Sequence, residues 1–136
     1  MINKENFKLS IIIPCYNEKN TIEIILKKII QNLNKYKFLN YEILIVDDCS
    51  TDGTIKILKQ LDNDNKIVTY FHDKNLGKGA AIHTALKHLT GEVVIIQDAD
   101  LEYDPSDYHK LLAPFFEAKA DVVYGSRFLG GGKYSR

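Results

Sequence analysis

The chain has no excess of either charge. Lys plus Arg and Asp plus Glu number 18 each, so the formal net charge is zero. Binding of nucleic acid through bulk charge is therefore not indicated, and only a local basic patch could serve. Cysteine is scarce as well. Cys15 and Cys49 form no Cys-x-x-Cys pair and have no Cys/His spacing of a zinc site. Both read as reduced thiols of a cytoplasmic protein. The stretch from Met1 to Asn6 is polar and lacks the apolar core of a secretory leader. The longest apolar runs are strand-length, well short of the roughly 20 residues that span a bilayer. Contact with a membrane through a surface stays open. There is no linker, internal repeat or low-complexity tract. What is present is 136 residues, 45% hydrophobic and 26% charged, the balance of one globular domain.

Apolar strands alternate with helical patterns. Leu9 to Ile13 is a continuous apolar-rich run ended by Pro14. From Asn20 to Leu33, the residues Ile22, Ile25, Leu26, Ile29, Ile30 and Leu33 share one helical face. Asn20 followed by Glu23 predicts a capping box. Tyr41 to Val46 is a second strand, followed by a turn at Ser50 to Gly53 and a short helix turning Ile55, Leu58 and Leu61 inward. Lys66 to Phe71 is a third strand. A third helix places Ile82, Ala85, Leu86 and Leu89 on one face and is stopped by Gly91. Glu92 to Ile96 is a fourth strand. Asp104 before Pro105 reads as an N-cap and first-turn proline. A fourth helix carries Leu111, Leu112 and Phe115, with Pro114 as a kink or early stop. Ala120 to Tyr124 is a fifth strand. The expected fold is α/β: a mostly parallel, Rossmann-like sheet with helices on both faces. Strands rich in Ile and Val suit burial on both sides.

Ligands of such sheets bind beyond the carboxyl ends of the strands. The polar clusters fall there: Asn17 and Glu18, Asp47 and Asp48, Asp98 and Asp100. In an extended Asp98-Ala99-Asp100 segment both carboxylates point the same way. Magnesium or manganese takes one or two carboxylates plus substrate phosphates, so the pair suits such a cation. A solvated acidic loop is the alternative. Asp47 or Asp48 could accept a hydrogen bond from a nucleobase N–H, or Asp48 could cap the following turn; Asp52 reads as a cap. Gly77-Lys78-Gly79 opens a helix and could approach an anion, though it lacks the spacing of a Walker loop. Arg127 could hold phosphate with its planar fork. His72 falls near the same rim. His83, His88 and His109 read as ordinary helix residues.

Five stretches then occur in one order: Ser10-Ile-Ile-Ile-Pro-Cys-Tyr-Asn-Glu18, Val46-Asp-Asp-Cys-Ser-Thr-Asp-Gly-Thr54, Asn75-Leu-Gly-Lys-Gly-Ala80, Gln97-Asp-Ala-Asp-Leu-Glu102 and Val123-Tyr-Gly-Ser-Arg127. In this the chain resembles the inverting glycosyltransferases of family 2, which have the GT-A fold. Asp-Ala-Asp-Leu and Gly-Ser-Arg-Phe resemble in particular the dolichyl- or polyprenyl-phosphate sugar transferases. The resemblance implies a nucleotide-diphosphate sugar as donor, Mg2+ or Mn2+ as cofactor and a polyprenyl-phosphate lipid as acceptor. Pro14, Tyr16 and Glu18 would line the nucleoside pocket. Asp48 would face the base, with Asp47 beside it and Lys78 near the donor. Asp98 and Asp100 would bind ribose, diphosphate and metal, Glu102 could also reach the metal, and Arg127 would steady phosphate.

Family members normally continue beyond the fifth strand, so residues 1–136 are expected to be the nucleotide-sugar-binding part of a longer transferase domain. The work would be done in the cytoplasm, at the cytosolic face of a membrane. The alternative is a truncated nucleotide-binding module without transfer activity. A phosphoacceptor receiver domain fits the alternation but not the placement of the acidic pair, which such a domain carries after its first strand.

Overall fold

The computed structural model describes residues 7–36, 39–61, 66–100, 104–108, 110, 112 and 122–125. The elements run β1 (Lys8–Cys15), α1 (Ile22–Leu33), β2 (Asn40–Asp47), α2 (Thr54–Gln60), β3 (Ile67–Phe71), α3 (Lys78–Leu86), β4 (Val93–Gln97), a 3-10 turn (Pro105–Asp107) and β5 (Val122–Gly125). The described strands form one sheet in the order β3-β2-β1-β4-β5. All four pairings are parallel. The chain builds outward from β1 to β3 and then crosses to the other side of β1. The order therefore reverses between β1 and β4, which opens a crevice at their carboxyl ends.

Side-chain alternation divides the core. Leu9, Ile11, Ile13, Ile43, Ile45, Val93 and Ile95 pack on one face with α1, Leu58 of α2, Tyr108 and Leu112. Ile12, Leu44, Val46, Val94 and Ile96 pack on the other face with Ala81 and Ala85 of α3. Two buried faces explain why the strands read as unbroken apolar runs. Each fully buried Ile or Leu contributes roughly 1.5–3 kcal/mol.

α1 buries Ile22, Ile25, Leu26, Ile29 and Leu33, the face expected from the spacing. Its predicted capping box does not form, because the helix begins after Thr21 and no side chain caps it. Instead the Glu18 carbonyl accepts from the N–H of Thr21 and of Ile22, and the Thr21 hydroxyl donates to Glu18 Oε2 at 2.7 Å. On α3, Leu86 is exposed rather than inward, and Ala81 and Ala85 are the buried residues. In α2, Leu58 is buried, and Ile57 and Leu61 pack beside it. Ile55 is only half-buried.

Gly91 does not stop α3, which ends at Leu86. It lies against β1, donating its N–H to Ser10 Oγ at 2.9 Å. Asp104 does cap the 3-10 turn, its Oδ1 accepting from the Ser106 N–H at 2.9 Å. The predicted Phe115 face and Pro114 kink lie outside the described residues.

Candidate functional site

Strand register brings the acidic clusters to one rim. Cys15 pairs with Asp47, Asp47 with Phe71 and Gln97 with Gly125, and Ile12 pairs with Ile96, so all five described strands finish at one edge. An open cleft of ≈220 Å³ lies there, at the reversal between β1 and β4. It is lined by Pro14, Tyr16 and Glu18 after β1, Asp48 after β2, Lys78 and Ala81 of α3, and Asp98 and Asp100 after β4. Seven of the residues singled out from sequence thus converge on one cavity.

The loop after β1 and the loop after β2 are cross-linked. The Asn17 N–H donates to Ser50 Oγ at 2.8 Å, the Thr51 N–H to Asn17 Oδ1 at 2.7 Å and the Glu18 N–H to Thr54 Oγ1 at 3.0 Å. Asn17 and Cys49 hold left-handed backbone, with φ of 52° and 65°. Such conformations persist in non-glycine residues when surrounding contacts hold them. Asp52 behaves as the expected cap, accepting from the Thr54 N–H at 3.0 Å.

The two aspartates after β2 have separate tasks. Asp47 is fully buried and absent from the cleft lining. Its two oxygens accept from the Ser50 N–H at 2.9 Å and the Ser50 hydroxyl at 2.6 Å. The turn-binding role left open for Asp48 is thus filled by Asp47. Asp48 Oδ1 accepts from His72 Nδ1 at 2.9 Å and from the Leu76 N–H at 2.8 Å, while Oδ2 accepts from the Gly77 N–H at 2.8 Å. Gly77, at φ 99°, needs glycine for this approach. Its amide serves Asp48 rather than a ligand anion.

Burial pushes Asp48 upward. Hydrogen bonds from Leu76, His72 and Gly77 outweigh that and hold its carboxyl below the ordinary range. A depressed folded value stabilises the fold at every pH above the unfolded value of about 3.9. That stabilisation is lost as pH falls through the folded value. Urea titrations across acidic pH are expected to show wild type losing stability and Asp48→Asn losing less of it. An unchanged acid slope in Asp48→Asn would mean that this carboxylate is not the source. Cys15 is buried, and burial raises its thiol, with the charges of Asp47, Glu18 and Asp52 adding to the effect. It lines the cleft as an inert thiol rather than a nucleophile.

β4 ends at Gln97, so Asp98 to Asp100 form a turn rather than the expected extended segment. Both carboxylates still line the cleft, Asp98 buried and Asp100 exposed. The turn is held from behind. Gln97 Nε2 donates to the Asp98 carbonyl at 3.1 Å, and the Tyr108 hydroxyl donates to Gln97 Oε1 at 2.7 Å. Lys78 Nζ meets Asp98 Oδ1 at 2.5 Å.

Asp98 Oδ2 is buried with no hydrogen-bond partner. Leaving such an oxygen unpaired is costly, so a cation or donor N–H from a ligand fits there. Among the described residues no three His, Cys, Asp or Glu groups gather into a metal cage. Two carboxylates suit Mg2+ or Mn2+, which completes its shell with phosphate and water. Glu102 and Arg127 lie outside the described residues.

Sequence reasoning missed the His72–Thr84 contact and the Gln97–Tyr108 support. Both join residues distant along the chain, and only His72's place near the rim hinted at either.

The model of the family "Glycosyl transferase family 2" matches residues 10–136. A dolichol-phosphate mannosyltransferase of Pyrococcus furiosus is 34% identical over 126 residues, which cover 93% of this chain and 35% of that protein. A UDP-N-acetylglucosamine–dolichyl-phosphate N-acetylglucosaminyltransferase of Methanococcus voltae is 35% identical, over 86% of this chain and 51% of its own length. The chain thus spans between about a third and a half of these curated relatives. Among solved structures, a mannosyltransferase from Pyrobaculum calidifontis in complex with GDP-Man and Mn2+ superposes with TM-score 0.66 at 30% identity, covering 83% of this chain and 34% of that one. The S. aureus TarS fragment 1-349 in complex with UDP-GlcNAc gives 0.64 at 32% identity, covering 82% and 31%. The fold shared with these neighbours is GT-A.

Proposed function

We infer the function from one premise: the chain belongs to glycosyl transferase family 2. It is the donor-binding part of an inverting enzyme that moves a sugar from a nucleotide-diphosphate sugar to a dolichyl or polyprenyl phosphate. The observation that carries this reading is the cleft where the sheet order reverses, with Asp48 at one side and the unpaired Asp98 Oδ2 at the other.

The parts fit a donor laid across the crevice. Pro14, Tyr16 and Glu18 wall the nucleoside end, and Asp48 accepts an N–H of the base through a charge-assisted hydrogen bond. Lys78 sits at the diphosphate. Asp98 and Asp100 would hold Mg2+ or Mn2+, which would neutralise the diphosphate and stabilise it as a leaving group. By resemblance, Glu102 adds a third carboxylate and Arg127 a phosphate clamp. An acceptor phosphate oxygen is already anionic at neutral pH. Its lone pair attacks the anomeric carbon, the sugar's bond to the diphosphate oxygen breaks, and that electron pair leaves with the diphosphate. No general base is required, whereas a sugar hydroxyl would need one. The lipid tail stays in the bilayer, so the reaction takes place at the cytosolic membrane face. Among the described residues no helix is long and apolar enough to cross a membrane.

A thermal-shift screen of nucleotide diphosphates with and without manganese tests the donor site, since a ligand of the folded state raises Tm. A rise that needs manganese is expected. Equal shifts in chelator and in manganese would count against the metal. Asp48→Ala should weaken nucleoside binding more than pyrophosphate binding; equal losses would reduce Asp48 to a structural role. A second reading, a nucleotide-binding module without transfer, draws on the partial span of the relatives. Nucleotide binding without transfer of labelled sugar to polyprenyl phosphate would favour it. Transfer to a sugar hydroxyl but not to the lipid phosphate would refute the acceptor assignment.

A further inference from the structure

At the cleft, the carboxylate of Asp48 already accepts three hydrogen bonds from the protein. A carboxylate oxygen offers about two acceptor sites. Asp48 Oδ1 already takes two protons, from His72 and from the Leu76 N–H, and Oδ2 takes one, from the Gly77 N–H. Among the described residues, the remaining acceptor site of Asp48 is therefore a single lone pair on Oδ2. His72 is locked into this arrangement. Facing a carboxylate, its Nδ1 carries the proton, and in the neutral ring Nε2 then accepts from the Thr84 hydroxyl at 2.8 Å. His72 has only 8% of its side chain exposed, so little water can replace Asp48 as its partner.

We propose that Asp48 reads one N–H only, that the donor is a uridine rather than a guanosine diphosphate sugar, and that His72 is the positioning residue that sets this preference. The proposal rests on the donor-site reading above and names its substrate class. Uracil presents a single imide N–H between two carbonyl oxygens, which matches one free lone pair. Guanine presents a ring N–H and an amino N–H side by side, a pair suited to both oxygens of a carboxylate. Oδ1 has no capacity left for the second. Guanine would leave a donor unpaired or expel His72. Adenine and cytosine set an amino group beside a ring nitrogen lone pair, and that lone pair would face the carboxylate.

Calorimetric titration of the chain with UDP, GDP, ADP and CDP in manganese tests this. UDP should bind tightest, with GDP weaker by roughly tenfold to a hundredfold, the scale of one unpaired buried donor. His72→Ala frees a site on Oδ1 and should narrow the UDP-to-GDP ratio severalfold. His72→Asn, which keeps a donor amide near the Nδ1 position, should restore it. A merely structural His72 would weaken both nucleotides alike and leave the ratio unchanged, which would overturn its assigned role. Thr84→Val, a gentler change, should move the ratio in the same direction by less. Equal or tighter GDP binding by wild type overturns the base assignment while leaving the donor site standing. Failure of every diphosphate to bind overturns the donor-site reading and this inference together.

Discussion

Asp100→Asn is expected to abolish the manganese-dependent part of nucleotide-diphosphate binding while leaving the fold intact. Asp100 is exposed at the end of the turn after β4, where a change of side chain leaves the core packing untouched. Its charge matters once a divalent cation and a diphosphate enter the cleft it lines with Asp98. Removing one partner of a desolvated charge cluster costs affinity by about a hundredfold or more. Asp98→Asn should lose as much binding and should also break the ion pair with Lys78. Calorimetry in manganese and in chelator separates the cases. Wild-type affinity for the diphosphate in manganese, retained by Asp100→Asn, would remove this carboxylate from the metal site.

Gly91→Ala is expected to unfold or severely destabilise the domain, far from the cleft. A Cβ placed there would lie 2.3 Å from Ser10 Oγ, 2.8 Å from the Lys8 carbonyl oxygen and 2.8 Å from the Ser10 nitrogen. Two of these atoms are β1 backbone and cannot rotate away. The third is fixed by donating to Glu42 Oε2 at 2.6 Å. Overpacking of this kind costs about 1–3 kcal/mol or more, against a total stability of roughly 5–15 kcal/mol. Chemical denaturation followed by circular dichroism reads the loss. Ser10→Ala in the same chain should recover only the side-chain share. An unchanged midpoint in Gly91→Ala would show that β1 and the segment before β4 can move apart.

These two residues differ in how far they could be read from sequence. Asp100 stands in a short acidic motif after an apolar run, and the carboxyl end of a buried strand is where sheet proteins place ligands. Gly91 follows a helical pattern, so local reading made it a helix stop. Its actual constraint comes from β1, eighty residues earlier, and no local pattern encodes that distance. The capping box at Asn20 and Glu23 failed for a related reason. The Glu18 carbonyl and side chain already organise that turn, while the Glu18 and Lys19 amides are bound to the loop after β2.

Periodicity by itself determined the alternation of strands and helices, the apolar face of α1 and the rim on which the acidic clusters gather. Those are consequences of side-chain direction along one element, and a single segment carries them. The tertiary structure alone decided which aspartate does what. Asp47 and Asp48 are neighbours of the same type, yet one is closed off by Ser50 and the other is held by His72, Leu76 and Gly77 at the cleft. It also left Asp98 Oδ2 buried without a partner, while Lys78 from α3 took the other oxygen. A carboxylate's role depends on how many of its lone pairs the protein has already filled. Those donors arrive from α3 and the loop that joins β3 to it, and only folding brings them within 3 Å.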